Sequence, residues 1–195
     1  MKRLILLILS SVVVALPMAT TADGNVANRS LPDNSVYHIE SSWRDQYGET
    51  FNITELQGKV RVVAFVYTYC EHTCPVIITR IKSILKALSK DAQTQTKVTL
   101  VTLDPQRDTV ERVREYMTSK EMDDQRWQIL VGSQDDVLAL AALFDVRYKP
   151  MGESDIAHSN VITLVDKEGV IRNQLKGLGQ SIKEFVGLVE QLNKE

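Results

Sequence analysis

The 195-residue sequence lacks the features that would assign it to several common functional classes. It has no basic block and its formal net charge is −2, which argues against a nucleic-acid partner. Neither of the phosphate-binding patterns G-x-G-x-x-G and G-x-x-x-x-G-K occurs. The chain has two cysteines and three histidines. Any chemistry that needs a thiol or an imidazole must therefore rest on these five side chains.

Long hydrophobic runs are also missing. Lys2 and Arg3 precede an uncharged apolar run at residues 4–16, which is shorter than the ~20 residues of a membrane-spanning helix. Small residues follow, and cleavage after Ala22 fits a secretory signal peptide at residues 1–22. A short membrane anchor is the alternative. Both predict a domain in the periplasm, membrane-associated only if the segment is not cleaved.

The rest of the chain has the composition of one globular domain. Hydrophobic residues make up 44% and charged residues 25% of the sequence, which is enough apolar material for a core. Residues 23–35 are polar and contain glycine, asparagine and proline, which predicts a flexible linker. Residues 36–195 are predicted to be a single domain.

Strands and helices alternate along this domain. Residues 60–67 form a nearly continuous β-branched and aromatic run, as expected for a central buried strand, and 97–103 and 127–132 are further strand candidates. Residues 36–56 predict an N-terminal β-hairpin, and the turn "KEG" joins two late strands. This order predicts an α/β fold with a central mixed sheet, helices on both faces and a thioredoxin-like arrangement.

The helix starts are predicted from local signals. Pro75 opens an apolar stripe at helical spacing, and proline is favoured in the first turn of a helix. Asp108 followed by Glu111, and Ser181 followed by Glu184, each match a capping box.

Both cysteines lie between the predicted central strand and the first helix. Cys70 is in the predicted turn and Cys74 is at the helix entrance, where backbone N–H groups and the helix dipole favour thiolates. A thiolate pair either exchanges disulfides or binds a soft metal ion. A purely structural disulfide is a third interpretation, although so short a loop gives little stabilisation.

The three histidines differ in their setting. His38 lies in the predicted N-terminal strand and is expected to be a packing or surface residue, and His72 is expected to face solvent. His158 opens the late strand that, in a thioredoxin arrangement, faces the cysteine turn at the place of the cis-proline. Two thiolates suit Cu(I), and an added imidazole suits Cu(II) as well.

Three segments together resemble the Sco/SenC family of thioredoxin-like copper proteins. They are "FVYTYCEHTCP", "VTLDPQRDTVERVREYM" and "DIAHSNVITLVDKEGVIR", and they contain the C-x-x-x-C-P motif, the D-P-x-R-D-T segment and the single late histidine in order. The resemblance runs from about Val36 to the C-terminus.

The resemblance implies that Cys70, Cys74 and His158 are copper ligands for Cu(I) and Cu(II). It also implies a metallochaperone that delivers copper to, or reduces the cysteines of, the dinuclear copper site of cytochrome c oxidase. The expected partner is the copper-site subunit of that respiratory oxidase, alongside other periplasmic copper or thiol-redox proteins. The alternative is a periplasmic thiol–disulfide oxidoreductase that uses the Cys70/Cys74 dithiol without a metal.

The resemblance also assigns an acidic loop, and it is incomplete near the histidine. Asp104, Pro105, Arg107 and Asp108 match a loop that supports the site or a partner surface, although a turn and helix cap explain them equally well. Family members often carry an aspartate directly before the histidine. Here that position is Ala157, and Asp155 lies further back.

Overall fold

The computed structural model describes residues 30–122, 125–152 and 155–195. The predicted signal peptide, residues 1–22, and residues 23–29 of the predicted linker lie outside these ranges, so both stay predictions. Leu31–Glu195 form one compact unit. Among the described residues, none of the helices has the length and apolar character needed to cross a membrane.

The described residues contain nine strands, five α-helices and two short 3-10 helices. The strands are β1 (Ser42–Arg44), β2 (Thr50–Asn52), β3 (Arg61–Val66), β4 (Lys97–Thr102), β5 (Trp127–Leu130), β6 (Tyr148–Met151), β7 (Asp155–His158), β8 (Val161–Val165) and β9 (Ile171–Lys176). The helices are α1 (Thr73–Ala87), α2 (Lys90–Gln95), α3 (Val110–Ser119), α4 (Gln134–Leu143) and α5 (Lys183–Lys194). The 3-10 helices are Val36–His38 and Ile53–Leu56.

The central sheet is mixed, as predicted. Its strand order is β5-β4-β3-β8-β9, with β3, β4 and β5 parallel and β8 and β9 antiparallel. Every residue of β3 is buried because both faces of the strand are covered. The late hairpin β8–β9 forms one edge of the sheet.

The two faces of the sheet are covered by different elements. Val62, Ala64 and Val66 of β3 point into a core shared with α1, α2, α3 and α5. Val63 and Phe65 point into a second core, which contains α4, the 3-10 helices and Trp43 of β1. The predicted helices on both faces and the predicted N-terminal hairpin β1–β2 are thus confirmed.

The hairpin is attached to the sheet by a close contact. The backbones of Arg44 and Val131 exchange two hydrogen bonds of 2.9 Å. A Cβ atom at Gly132 would lie 2.6 Å from Cζ3 of Trp43, so only glycine lets the indole pack there.

One predicted helix cap is wrong and two helix starts are shifted. Thr109, not Asp108, caps α3, because its hydroxyl accepts the N–H of Arg112 while the Asp108 carboxylate turns into the protein. Helix α5 begins at Lys183, later than predicted, and the Ser181 hydroxyl accepts the Lys183 N–H at 3.3 Å. Helix α1 begins at Thr73, two residues before Pro75, which still sits among the first four residues whose N–H groups have no helical partner.

The sequence predicts that His158 opens the late strand, but β8 begins at Val161 and His158 ends β7. The segment before β8 forms the two-stranded ribbon β6–β7, separate from the central sheet, with Tyr148 paired to His158. The pattern of hydrophobic residues gave no signal for it, since most residues of both strands are exposed or half-buried.

Candidate metal centre

The first half of the site is the turn between β3 and α1. The N–H of Cys70 donates to the carbonyl of Tyr67 at 3.2 Å, which closes the turn, and the N–H of Cys74 donates to Sγ of Cys70 at 3.3 Å. Cys74 is the second residue of α1 and is fully buried, while Cys70 is 9% exposed. Both are free thiols. The helix entrance therefore places one sulfur against the core and the other at its edge.

The two thiols have opposite electrostatic settings. Burial raises the pKa of Cys70, but hydrogen bonds from the Cys74 backbone and thiol, and from the N–H groups of Thr73 and His72, outweigh burial and lower that pKa overall. Burial also raises the pKa of Cys74, and the neighbouring Cys70 sulfur raises it further. Cys70 is therefore the thiol that ionises first.

A buried carboxylate holds the start of the turn in place. Asp108 is fully buried and accepts the N–H of Thr68 at 3.1 Å and the Thr68 hydroxyl at 2.6 Å. The hydroxyl of Thr102, from the end of β4, also donates to it. Burial raises the pKa of Asp108, although these hydrogen bonds oppose that shift. The carboxylate thus ties the turn before Cys70 to the neighbouring strand.

The remainder of the predicted acidic loop lies at the rim of the site. Asp104 pairs with Arg107, with Nε to Oδ2 at 2.5 Å. The guanidinium groups of Arg107 and Arg112 lie 5.1 and 4.6 Å from the ring centroid of the exposed Tyr69. Arg112 also donates from Nε to the Thr68 hydroxyl at 3.0 Å. These residues therefore hold the cysteine turn by hydrogen bonds and place two arginines beside the exposed Tyr69.

The second half of the site is the ribbon that ends in His158. The half-buried imidazole places Nδ1 3.2 Å from the carbonyl oxygen of Ser159. A carbonyl only accepts, so this contact requires the proton on Nδ1 and leaves the lone pair on Nε2. Nε2 lies 3.7 Å from Sγ of Cys74. Burial lowers the pKa of His158, which favours the neutral imidazole that binds metal ions.

Tyr67 joins the two halves. Its ring meets that of His158 edge to face, with centroids 6.1 Å apart. Its hydroxyl donates to the carboxylate of Asp155 at the start of β7 and accepts the N–H of Ile156 at 3.3 Å. Burial, and then the bond to Asp155, raise the pKa of this phenol. Residues at both ends of the ribbon strand β7 are therefore in contact with the residue that follows β3.

The donor atoms of Cys70, Cys74 and His158 all lie within 4.8 Å of one another. Bonds of ~2.0–2.3 Å, as nitrogen and sulfur donors make to zinc, put two donors on one ion at most ~4.6 Å apart. Three such atoms need only a small adjustment to share one ion. Two thiolates and an imidazole are the donors that copper and zinc prefer.

The other two histidines are not in this group. His72 is exposed at the start of α1, as expected. His38 ends a 3-10 helix rather than lying in a strand, and its Nε2 is 2.9 Å from the carbonyl of Pro32. Met151, at the end of β6, is exposed.

Sequence reasoning missed the residues that hold the site together. Tyr67 counted only as the end of a buried strand, and Thr68 had no assigned role. Asp155 was noted only as a departure from the family pattern. A polar group at the end of a buried strand, next to a reactive turn, is the signal that points to Tyr67.

Comparison with known proteins agrees with this picture. The SCO1/SenC family model matches residues 33–192. The SCO1 protein homologue of Bacillus subtilis is 23% identical over 154 residues, covering 77% of this chain and 79% of that protein. A SCO2-like protein of Rickettsia bellii is 30% identical over 142 residues, covering 70% and 69%.

Solved structures have the same fold. The ScoI protein of Bradyrhizobium japonicum with copper bound is 24% identical, covers 78% of this chain and 96% of its own, and has a TM-score of 0.65. A SCO1/SenC family lipoprotein of Bacillus anthracis is 21% identical with a TM-score of 0.70, covering 79% and 94%.

A third structure is BsSco, a member of the Sco family of cytochrome c oxidase assembly proteins in which a disulfide switch was identified. It is 20% identical with a TM-score of 0.68, covering 78% of this chain and 91% of its own. These likenesses establish the thioredoxin-like fold. Because the family match spans most of the sequence, the chain belongs to the SCO1/SenC family.

Proposed function

We propose that this protein binds one copper ion, as Cu(I) or Cu(II), through Cys70, Cys74 and His158, and acts outside the cytoplasm in the assembly of cytochrome c oxidase. The observation that supports it most directly is the convergence of the three donor atoms within 4.8 Å. Copper is the metal bound in the ScoI structure, and cytochrome c oxidase assembly is the role given for the family of BsSco.

The donor set explains a preference for copper in both oxidation states. The soft thiolates of Cys70 and Cys74 favour Cu(I), and the imidazole of His158 supplies the nitrogen that Cu(II) prefers. Because the Nδ1 proton is held by the Ser159 carbonyl, Nε2 faces the sulfurs without a tautomer change. Copper is passed on as cargo by ligand exchange with cysteines and histidines of the copper-site subunit.

A copper titration of the reduced chain, beginning at Asp23, tests the proposal. Wild-type protein is expected to bind one Cu(II) with a strong sulfur-to-copper absorption band. His158→Ala removes the imidazole and is expected to lose that band. His72→Ala is the matched control, because its side chain is exposed beside the site and outside the donor group. A band of full intensity in His158→Ala would contradict the proposed ligand set.

A thiol–disulfide oxidoreductase is the second candidate, favoured by the opposite pKa shifts of the two cysteines. The Cys70 thiolate attacks a partner disulfide and forms a mixed disulfide, releasing one partner thiolate. The Cys74 sulfur, after losing its proton, then displaces the second partner thiolate. The products are a reduced partner dithiol and the Cys70–Cys74 disulfide.

The same variants separate the two candidates. Reductase activity needs the two sulfurs, so His158→Ala is expected to keep reductase activity while losing Cu(II). Reductase activity without copper uptake in wild-type protein would favour the second candidate. In the copper proposal, exchange with a partner disulfide oxidises the two sulfurs to the Cys70–Cys74 disulfide, reduces the partner to a dithiol and releases the metal. Equal copper affinity of the disulfide and dithiol forms would refute that coupling.

We further propose a location outside the cytoplasmic membrane. The basic and then apolar order of residues 1–16 supports it, and so does the B. anthracis relative, which is a lipoprotein. Mass spectrometry of the exported protein distinguishes cleavage after Ala22 from an uncleaved anchor.

A further inference from the structure

A row of cations crosses the sheet at the end opposite the cysteines. Arg61 opens β3 and is paired in register with Lys97, which opens the parallel strand β4. Val98 pairs with Trp127, so Lys97 is level with Arg126 just before β5. Six residues of β3 at ~3.3 Å each separate this row from the cysteine turn by roughly 20 Å. The row is therefore distinct from the candidate metal centre.

Among the described residues, no acidic side chain forms an ion pair with the buried Arg61. The residue is only 8% exposed. Its Nε donates to the carbonyl of Leu56 at 2.8 Å, and its Nη1 donates to the hydroxyl of Thr99 at 3.1 Å. Both acceptors are neutral. Burial lowers the pKa of the guanidinium, and a hydrogen bond with the Tyr37 side chain opposes that shift.

Within the described part of the chain, Lys97 and Arg126 have no countercharge either. The five ion pairs among residues 30–122, 125–152 and 155–195 involve neither Arg61 nor Lys97 nor Arg126. Nζ of Lys97 donates to the carbonyl of Gln125 at 2.5 Å, again a neutral acceptor. Like charges on neighbouring strands repel, so three in one row are unfavourable unless an anion lies between them.

Arg61, Lys97 and Arg126 all belong to the lining of one open cavity of about 200 Å³. A cavity needs only ~10–15 Å³ on this measure to hold one water, so there is room for a larger ligand. The only carboxylate among its described lining residues is Asp45, whose Oδ1 already accepts the N–H groups of Tyr47 at 2.8 Å and Glu49 at 3.1 Å. The lining therefore carries an excess of positive charge.

The wall of the cavity is fixed by a buried amide. Gln46 is 4% exposed, donates from Nε2 to the carbonyl of Trp127 at 3.4 Å, and accepts the N–H of Ile129 at 3.3 Å through Oε1. These bonds attach the β1–β2 turn to β5 whether or not a ligand is present. The cavity is thus preformed, which lowers the cost of binding.

We propose that Arg61, Lys97 and Arg126 bind a multiply charged tetrahedral oxyanion, either free phosphate or the phosphate group of a lipid headgroup. Arginine presents paired N–H donors that match phosphate oxygens, and lysine adds a mobile ammonium. This site is separate from the proposed copper site and does not depend on it.

Titration of the metal-free protein with inorganic phosphate at constant ionic strength tests the site. Wild-type protein is expected to bind one phosphate and to melt at a higher temperature as phosphate is added. K97Q/R126Q is expected to bind at least tenfold more weakly. K90Q/R114Q is the matched control, since it removes one lysine and one arginine from exposed positions elsewhere. Equal binding by both double variants would overturn the proposal.

The acids that precede Arg126 in the sequence provide a further check. D123N/D124N removes two carboxylates and is expected to bind phosphate at least as tightly as wild type. If this variant bound phosphate and wild type did not, the row would serve an internal ion pair, which would overturn the proposal.

Vesicles distinguish the two sources of phosphate. Binding of free phosphate with one-to-one stoichiometry supports a soluble ligand. Failure with free phosphate, together with sedimentation on phosphatidic acid vesicles that K97Q/R126Q loses and K90Q/R114Q keeps, supports a lipid headgroup. Failure of wild type with both probes overturns the proposal. Copper titrations of K97Q/R126Q are expected to match wild type, so failure here is distinguishable from failure of the copper proposal.

Discussion

The two halves of the candidate metal centre are built in different ways. The cysteine half belongs to the core: β3 is buried throughout, Cys74 is fully buried, and the Asp108 carboxylate holds the turn from below. The histidine half is a four-residue strand in a ribbon outside the central sheet, with alternately exposed and half-buried residues. One half is fixed by the fold itself, and the other by a few side-chain contacts.

This difference separates stability from metal affinity. Changes beneath the cysteine turn disturb packed elements and should appear as a loss of folding free energy. Changes to the contacts of the ribbon should leave the core intact and alter how well His158 meets the two sulfurs. The contacts of Tyr67 with Asp155 and Ile156 are the link between the halves.

The largest expected effect is the loss of folding stability when the support of the cysteine turn is removed. Asp108→Ala leaves the N–H and hydroxyl of Thr68 without their acceptor in a buried position, and is expected to lower the free energy of unfolding by about 3 kcal/mol. Urea unfolding measures it. Glu111→Ala, an exposed change in the first turn of α3, is the control and should cost well under half as much.

Asp108 should also leave a signature in the pH dependence of stability. Its folded pKa is raised, so the protonated acid is favoured in the fold. Protonated Asp108 therefore adds to the free energy of unfolding. This contribution is fully present below the unfolded pKa of ~3.9 and is lost as the pH rises through the folded pKa. Asp108→Asn does not titrate, so the difference in unfolding free energy between the two proteins should change over that window. A constant difference would contradict the raised pKa.

A smaller effect, on metal affinity, is expected from removing the hydrogen bonds of Tyr67 to Asp155 and Ile156. Tyr67→Phe keeps the ring against His158 but removes the bonds to Asp155 and Ile156. Outer contacts of this kind typically change metal affinity by about 10–100-fold. Competition with a copper chelator measures it, and the melting temperature should fall by only a few degrees.

Tyr116→Phe is a matched control for that substitution. Tyr116 is buried on α3 and its hydroxyl lacks a hydrogen-bond partner in the described part of the chain. Removing it should leave copper affinity unchanged and stability unchanged or slightly higher. Equal losses of affinity in the two variants would show that the Tyr67 hydroxyl has no special role.

The smallest expected effect is a difference in reactivity between Cys70 and Cys74. Because the pKa of Cys70 is lowered and that of Cys74 is raised, iodoacetamide should modify Cys70 first as the pH is increased. Peptide mass spectrometry of the reduced protein measures this, with a selectivity of about tenfold or more expected at pH 7. Preferential labelling of Cys74 would reverse the assignment of the reactive thiol.

The sequence predicted the core half far better than the ribbon half. A continuous β-branched run followed by an apolar helical stripe is a strong local signal, and it placed Cys70 and Cys74 correctly at the strand-to-helix turn. The ribbon has no such pattern. Its decisive contact joins Tyr67 to Asp155, which lie 88 residues apart, and no local pattern reports a pairing of that kind.

Asp108 shows a different failure. An aspartate three residues before a glutamate at a helix start fits a capping box, and the same residue also fits a buried hydrogen-bond acceptor. The neighbouring Thr109 is equally able to cap the helix, and in the fold it does. The position of the carboxylate depends on the hydroxyls of Thr68, in the turn after β3, and Thr102, at the end of β4.

The burial of Cys74, whose Sγ lies 3.7 Å from Nε2 of His158, has a consequence for protons. With its pKa raised, Cys74 keeps its proton at neutral pH, whereas the pKa of Cys70 is lowered. An ion held by both sulfurs displaces the Cys74 proton to solvent. Loading the site is therefore an acid–base reaction as well as a binding reaction. For each proton released, the apparent affinity should rise about tenfold per pH unit until Cys74 itself ionises.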